Sequence, residues 1–244
     1  MARILITGSS DALGLGSLTA KRLIAQGHKV VLHARNANRA EDAAAACPGS
    51  EAVLIGDLSS LEETKALAAQ ADALGPYDAV VHNAGLYSGN MFAVNTLAPY
   101  VLTSLMQKPK RLVYISSGMH YGGRANLGEG QDITRSSYGD TKLHDVMLAK
   151  AFARRWAKDG VEVFSADPGW VPTKMGGASA TGSIEDALDT FVMVTMGKKA
   201  ARYRSGGYFV GSREKKPLAV AEDVELQDRL LAELARISGI TAPG

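Results

Sequence analysis

Residues 4–16 read Ile4-Leu5-Ile6-Thr7-Gly8-Ser9-Ser10-Asp11-Ala12-Leu13-Gly14-Leu15-Gly16, an apolar run that enters a glycine-bearing turn and leaves it as a helical pattern. A short apolar run bounded by a turn reads as a buried strand. In a strand, turn and helix so arranged, backbone N–H groups and the positive end of the helix dipole converge on one point. Small side chains there let the backbone approach a pyrophosphate. Gly8, Ser10, Leu13 and Gly14 are the candidate contacts. Glycine also serves ordinary tight turns, so this turn gains its meaning from following the first strand of the chain.

The rest of the chain repeats the alternation. Arg3 to Thr7, Lys29 to Ala34, Ala52 to Gly56, Ala79 to Asn83, Arg111 to Ser116, Val161 to Ala166 and Gly207 to Val210 read as buried strands. Ala/Leu-rich helical patterns fall between them, at about Gly16 to Gln26, Ala37 to Ala46, Leu61 to Leu74, Met91 to Met106, Tyr138 to Lys158 and Ser183 to Met196, with a last one near Asp223 to Ser238. Gly27, Gly160 and the Pro48-Gly49 pair stand where helices should stop. Alternating strands and helices need right-handed crossovers, which lay helices on both faces of a parallel sheet. The pattern predicts an α/β, doubly wound Rossmann-type fold: one domain over residues 1–244 with a seven-stranded, mostly parallel sheet.

Composition narrows the partners. Hydrophobic residues make up 46% and charged residues 21% of the 244 positions, enough apolar material for one sizeable core. With 27 basic against 25 acidic residues, the formal charge of +2 exerts no general pull on nucleic acid or anionic membrane, so neither is expected as a partner. No apolar stretch approaches the roughly 20 residues of a membrane helix, and no secretion signal precedes Ile4. The single cysteine, Cys47, cannot form an intrachain disulfide, and a cytoplasmic location is the plain expectation. No metal site is expected.

The end of the second strand reads Leu32-His33-Ala34-Arg35-Asn36. A carboxylate at this place would suit a ribose 2′-hydroxyl, whereas a guanidinium suits a 2′-phosphate. Arg35 stands at the turn and Arg39 near it, and no acid appears before Glu41, so NADP(H) is preferred and NAD(H) remains possible. Arg35 as a plain solvated loop cation is the alternative. The third strand ends in Gly56-Asp57-Leu58. Asp57 would contact the adenine or cap the next helix, for which Ser59 and Ser60 are better placed.

Taken in order, these pieces resemble the short-chain dehydrogenase/reductase family over nearly the whole chain. The matching motifs are Thr7 to Gly14, Asp57, His82-Asn83-Ala84-Gly85, Asn95, Ser116-Ser117, Tyr138-Gly139-Asp140-Thr141-Lys142 and Pro168-Gly169. The resemblance implies that Asn83 ties strands together and that Ala84 and Gly85 leave room for the cofactor ribose. It implies that Asn95 kinks its helix behind the lysine, and that Pro168, Gly169, Val171 and Thr173 turn the chain over the nicotinamide. Ser116 and Ser117 compete for the hydroxyl that orients a carbonyl, and the family pattern selects the second. Ser136 and Ser137 lie just before the Tyr138 helix and more readily cap it.

Tyr138 and Lys142 stand four apart on a predicted helix, on one face. A free tyrosine, with a pKa of about 10, is a poor acid or base near neutrality, and an adjacent ammonium should lower that value. The expected site is therefore Tyr138, Lys142, Ser117 and Asn95, acting on a small carbonyl or alcohol substrate by hydride transfer.

Three features depart from the family pattern. Ala12 occupies the place of the middle glycine, and nine residues separate Gly85 from Asn95, a shortened stretch. Helices of this region build the family's oligomer interfaces, so a monomer or homodimer is expected in place of the usual tetramer. Tyr138 follows Ser117 by 21 positions, a longer gap than usual that resembles the insertion of the retinol dehydrogenases; its His120, Tyr121 and Arg124 are candidates to shape the substrate pocket. Trp170, Met175, Tyr87, Met91 and Tyr121 are candidates for an apolar wall, with Lys174 to Ser183 as a lid rich in small residues. An NADPH-binding regulator with little turnover is the competing reading. A sugar-nucleotide epimerase would need a larger C-terminal domain than the chain after Gly211 supplies.

Overall fold

Strand β1 (Arg3–Ile6) lies between β2 (Lys29–Ala34) and β4 (Ala79–His82), parallel to both, in a computed structural model that describes residues 1–197 and 203–244. With β3 (Ala52–Ile55), β5 (Arg111–Ile115), β6 (Glu162–Asp167), β7 (Tyr208–Val210) and β8 (Arg213–Lys215) the sheet runs β3-β2-β1-β4-β5-β6-β7-β8. The chain winds one way from β1 to β3, returns to β4 and winds the other way. The reversal opens a crevice at the carboxyl ends of β1 and β4.

The eighth strand, β8 (Arg213–Lys215), corrects the seven-stranded expectation. It pairs antiparallel with β7, and all three of its residues are charged and exposed. Backbone pairing alone makes it a strand, so no apolar period announces it. Its charges also protect the sheet edge from further pairing.

Each inner strand buries both faces. Leu5, Val31, Val80 and Leu112 enter one apolar cluster, while Ile4, Ile6, Val30, Leu32, Val81 and Val113 enter the other. Helices α1 (Leu15–Ala25), α2 (Ala37–Ala46) and α6 (Ile184–Met196) cover the second cluster, and α3 (Leu61–Leu74), α4 (Ala98–Leu105), α5 (Tyr138–Arg155) and α7 (Val224–Ser238) cover the first. Burying each such aliphatic side chain contributes about 1.5–3 kcal/mol, which is why continuous apolar runs become central strands.

Two helices differ from the sequence expectation. The run Met91 to Met106 divides into a π-helical turn, Phe92–Leu97, and α4. Pro99 has no N–H to donate to the Asn95 carbonyl four residues back, so a regular α-helical ladder cannot pass through this point. Helix α5 stops at Arg155, and a 3-10 turn, Ala157–Asp159, carries the chain to Gly160 at φ 69°. At its start Ser137 and Asp140 form a reciprocal capping box, which fixes Tyr138 as the first helical residue. The sheet, α7 and the long 118–137 segment enclose α5, so even its polar residues Lys142, His144 and Asp145 are buried.

Candidate active site

A cleft of about 790 Å³ opens at the carboxyl ends of the central strands, with Gly8, Ser10 and Gly14 at one side and Tyr138 and Lys142 at the other. Gly8 has φ 65°, and a Cβ on it would lie 2.6 Å from the Cα of Ala84. Only glycine meets both conditions. The Thr7 hydroxyl accepts the N–H groups of Asn83 (3.0 Å) and Ala84 (3.1 Å), and Asn83 Nδ2 donates to the carbonyl of Thr7 at 2.9 Å. The ends of β1 and β4 are thereby tied together, and Asn83, Ala84 and Gly85 all border the cleft.

Helices α2, α3, α5, α6 and α7 each start with an Asn, Ser or Asp side chain accepting a first-turn N–H. Helix α1 starts at Gly14 with no such cap and no acid in its first turn, and its opening residues Gly14, Leu15 and Gly16 face the cleft. These backbone donors and the helix dipole favour an anion. Leu13, by contrast, is 72% exposed and outside the lining, its N–H given to the Asp11 carboxylate at 3.1 Å. Ala12 is also exposed and outside it.

Arg35 and Arg39 line the same end of the cleft, as do Asp57 and Leu58. Asp57 does not cap α3; Ser60 does. Hydrogen bonds from the backbone N–H (2.8 Å) and hydroxyl (2.7 Å) of Ser59 hold the Asp57 carboxyl below the usual carboxylate range.

At the other end, Lys142 is 4% exposed and its Nζ lies 5.6 Å from the centre of the Tyr138 ring. Nζ donates to the Ile115 carbonyl at 2.8 Å and to Asp145 Oδ2 at 2.9 Å. The Ser116 hydroxyl is committed to the Lys142 carbonyl at 2.7 Å. The Ser117 hydroxyl accepts the Met119 N–H at 3.2 Å, and of the serine pair it is Ser117 that acts to lower the Tyr138 pKa, although Ser116 and not Ser117 borders the cleft.

The expected lowering of the Tyr138 pKa is reversed. Burial pushes the phenol above its ordinary value, Asp145 and Asp167 add to that, and the opposing pull of Lys142 and Ser117 does not overcome it. Burial works against the Lys142 ammonium too, but Asp145 and Tyr138 outweigh it and keep the lysine charged.

Asn95 lies in the π-helical turn, 1% exposed, behind the cleft wall and not in it. Its Oδ1 accepts the Leu86 N–H at 2.7 Å, and Nδ2 donates to the Leu86 carbonyl at 2.9 Å and to the Thr141 hydroxyl at 3.0 Å. The loop after β4 is thus fastened to α5 one residue from Lys142.

Pro168 and Thr173 border the cleft; Gly169 and buried Val171 do not. Gly169 has φ 80° and donates its N–H to Asp167 Oδ1 at 2.8 Å, turning the chain after β6. Of the apolar candidates, Tyr87 and Met175 line the cleft, with Leu86 and Val94 beside them. The Tyr87 ring packs 4.8 Å from that of Tyr138. Met91, Trp170 and Tyr121 lie outside it: the Trp170 indole donates to the Gly176 carbonyl at 2.8 Å, and the Tyr121 hydroxyl to the Lys216 carbonyl at 2.7 Å.

Two residues of the site escape the sequence reading. His33, buried at the end of β2, accepts the Gly8 N–H on Nδ1 at 3.0 Å and donates from Nε2 to the Gly56 carbonyl at 2.8 Å. Asp145, 2% exposed, pairs with Lys142. Among the described residues no group of three His, Cys, Asp or Glu side chains is arranged to hold a metal ion, and no helix is long and apolar enough to cross a membrane.

A family model described as short chain dehydrogenase matches residues 2–183. An uncharacterized oxidoreductase of Emericella nidulans is 51% identical over the whole of both chains. Retinol dehydrogenase 13 of Homo sapiens is 27% identical over 98% of this chain and 85% of its own. Among solved structures, an uncharacterized protein from Mycobacterium paratuberculosis superposes with a TM-score of 0.79, at 22% identity, over all of this chain and 96% of the other. The NADPH-bound carbonyl reductase from chicken fatty liver gives 0.69 at 19% identity, covering 89% of this chain and 99% of its own.

Proposed function

The chain belongs to the short-chain dehydrogenase family, and from that premise we propose that it uses NADP(H) to reduce a ketone or aldehyde to an alcohol, or to run the reverse. The carrying observation is the polarity of the cleft. Arg35 and the uncapped start of α1 stand at one end, Tyr138 and Lys142 at the other. A long ligand anionic at one end is drawn in with its opposite end at Tyr138.

The residues fit such a dinucleotide. Gly8, Ser10 and Gly14 would take the pyrophosphate, with Asp57 and Leu58 beside the adenine and Asn83, Ala84 and Gly85 along the ribose. Pro168 and Thr173, with Gly169 and Val171 shaping their turn, would meet the nicotinamide. Leu13 would contribute backbone only. Arg35, with no acid at the end of β2, favours a 2′-phosphate, so NADPH is preferred and NADH serves less well. The NADPH carried by the chicken carbonyl reductase supports the same choice.

When bound, the cofactor supplies the hydride for the carbonyl carbon. Tyr138 donates its phenolic proton to the carbonyl oxygen, and the Ser117 hydroxyl orients that oxygen and stabilises the charge gathering on it. Lys142 stabilises the phenolate left behind, and its remaining N–H is available to the ribose hydroxyls. Asn95 keeps the loop carrying Leu86 in register with α5. Leu86, Tyr87, Val94 and Met175 give the cleft an apolar wall, which suits an apolar substrate. The shortened stretch before Asn95 supports a monomer or homodimer, and the lone, buried Cys47 accords with a cytoplasmic protein.

An NADPH-oxidation assay across aldehydes, ketones and quinones, run in parallel with NADH, tests this reading. Turnover of an apolar carbonyl, faster with NADPH, is expected. Tight NADPH binding with no turnover across the panel would overturn it in favour of a cofactor-binding regulator.

A further inference from the structure

Lys142 and Asp145 stand three positions apart on α5, joined Nζ to Oδ2 at 2.9 Å, with both side chains almost wholly out of solvent. An ion pair so enclosed is costly to form and its partners are strongly coupled, so its presence beside a reacting phenol has electrostatic consequences. The ammonium has three N–H donors. One goes to the Ile115 carbonyl and one to Asp145, so the carboxylate both aims the lysine and offsets its charge.

We propose that Asp145 is a positioning residue acting through Lys142, anchoring the ammonium and offsetting its charge so that Tyr138 keeps its proton and stands as a proton donor at neutral pH. The inference rests on the reading of Tyr138 as the group that exchanges a proton with substrate. A tyrosine facing an uncompensated ammonium is drawn toward phenolate, which is the form that accepts a proton from an alcohol. A tyrosine facing a neutral lysine–aspartate pair keeps its proton, which is the form that a carbonyl oxygen requires.

The surroundings support this assignment. Lys142 and Tyr138 face Asp145 from its own helix, and Tyr114 faces it from β5, where the Asp145 charge helps to keep that phenol protonated. The Tyr114 hydroxyl is hydrogen-bonded to Thr103 at 2.8 Å, and Thr103 in turn to His82 at 2.9 Å, so the neighbours of Asp145 on the sheet side are neutral. Asp167, at the end of β6, acts on Tyr138 and Lys142 in the same sense as Asp145. Burial pushes the Asp145 carboxyl up to about 7, with Lys142 opposing, so the charge it presents to the lysine is itself sensitive to pH near neutrality.

The test is a tyrosinate titration followed by ultraviolet absorbance on the full-length protein, as the difference between wild type and Tyr138→Phe, repeated in the Asp145→Asn and Asp145→Glu backgrounds. The difference isolates Tyr138 and requires no substrate, so it stands even if no turnover is found. Asp145→Asn keeps the shape and removes the charge. It is expected to move the Tyr138 titration down by about one unit, and Asp145→Glu to restore it. Where turnover is available, Asp145→Asn should also move the alkaline limb of the pH profile of carbonyl reduction to lower pH. Superimposable Tyr138 titrations in wild type and a folded Asp145→Asn would overturn the proposal. Should Asp145→Asn not fold, Asp145→Ser takes its place in the same difference titration, with the same downward shift expected and superimposable curves again overturning the proposal.

Discussion

The amide N–H of Gly8 donates to Nδ1 of His33 at 3.0 Å, so a side chain of β2 fixes the turn that follows β1. The other ring nitrogen donates to the Gly56 carbonyl, which ties the turn to the end of β3 as well. The arrangement needs a neutral imidazole, because a protonated Nδ1 cannot accept. Burial supplies one by pushing the His33 pKa down.

Replacing His33 by Ala should therefore loosen the turn without touching the reacting end. It leaves the buried Gly56 carbonyl unpaired, at a cost of about 1–3 kcal/mol, and takes the partner from the Gly8 N–H at the cleft. The KM for NADPH is expected to rise on the order of tenfold, with kcat within a few-fold of wild type. Steady-state kinetics with a melting curve checks this, and an unchanged KM would show that the turn holds its shape without the imidazole.

Much of this architecture is legible in the chain because it rests on local rules. The seven parallel strands are apolar runs bounded by turn residues, and the ends of α2 and α3 fall where composition and caps put them. Tyr138 and Lys142 share a helix face by spacing alone. What escapes depends on neighbours distant in sequence. His33 reads as an ordinary strand residue until β1 and β3 bring Gly8 and Gly56 to its two nitrogens. Asp145, three residues after Lys142, carries no motif of its own, and its pairing gains weight only because α7, the sheet and the 118–137 segment bury both side chains. That same burial explains why Tyr138 departs from its expected titration: spacing reveals the ammonium beside it, but not the desolvation that opposes it.

Arg35 lines the cleft at the end of β2, where a carboxylate would select the unphosphorylated cofactor. Arg35→Ser is expected to raise the KM for NADPH about tenfold, the loss of a charge-assisted contact at an exposed position, and to leave that for NADH nearly unchanged. The ratio of the two kcat/KM values is the readout. Because the contact is solvent-exposed, raising the ionic strength should narrow the wild-type preference in the same direction. A preference unmoved by the substitution would place the discrimination elsewhere, Arg39 being the next cation in the lining.

Acid should weaken the fold before the surface carboxylates titrate. Burial lowers the pKa of His33, His82, His120 and His144, to about 3 for His82 and about 4 for His144. Below their unfolded value of about 6.5 the unfolded chain binds protons that the native one refuses, so stability is full above that pH and is lost as pH falls toward 4. Asp145 acts in the opposite sense: its raised folded value means that the native state holds a proton the unfolded chain has released between pH 3.8 and about 7. One proton opposes several, so the net expectation is a falling urea midpoint from pH 6.5 to 4.5, at up to about 1.4 kcal/mol per pH unit for each histidine. A midpoint that rose over this range would mean that the buried carboxyl outweighs the imidazoles.

Tyr138 carries the most direct expectation. Its ring is half-buried against Tyr87, so Tyr138→Phe removes a proton donor while leaving the ring's packing in place. General-acid catalysis contributes roughly 10²- to 10⁴-fold, and kcat should fall by that amount with NADPH affinity, measured by fluorescence, within a few-fold of wild type. The two readouts separate chemistry from cofactor binding. A parallel loss of affinity would mean that the phenol hydroxyl also holds the cofactor, and retained turnover would remove Tyr138 from the reaction. Ser117→Ala should give a smaller loss than Tyr138→Phe, because it takes away an orienting hydroxyl while the proton itself remains on Tyr138.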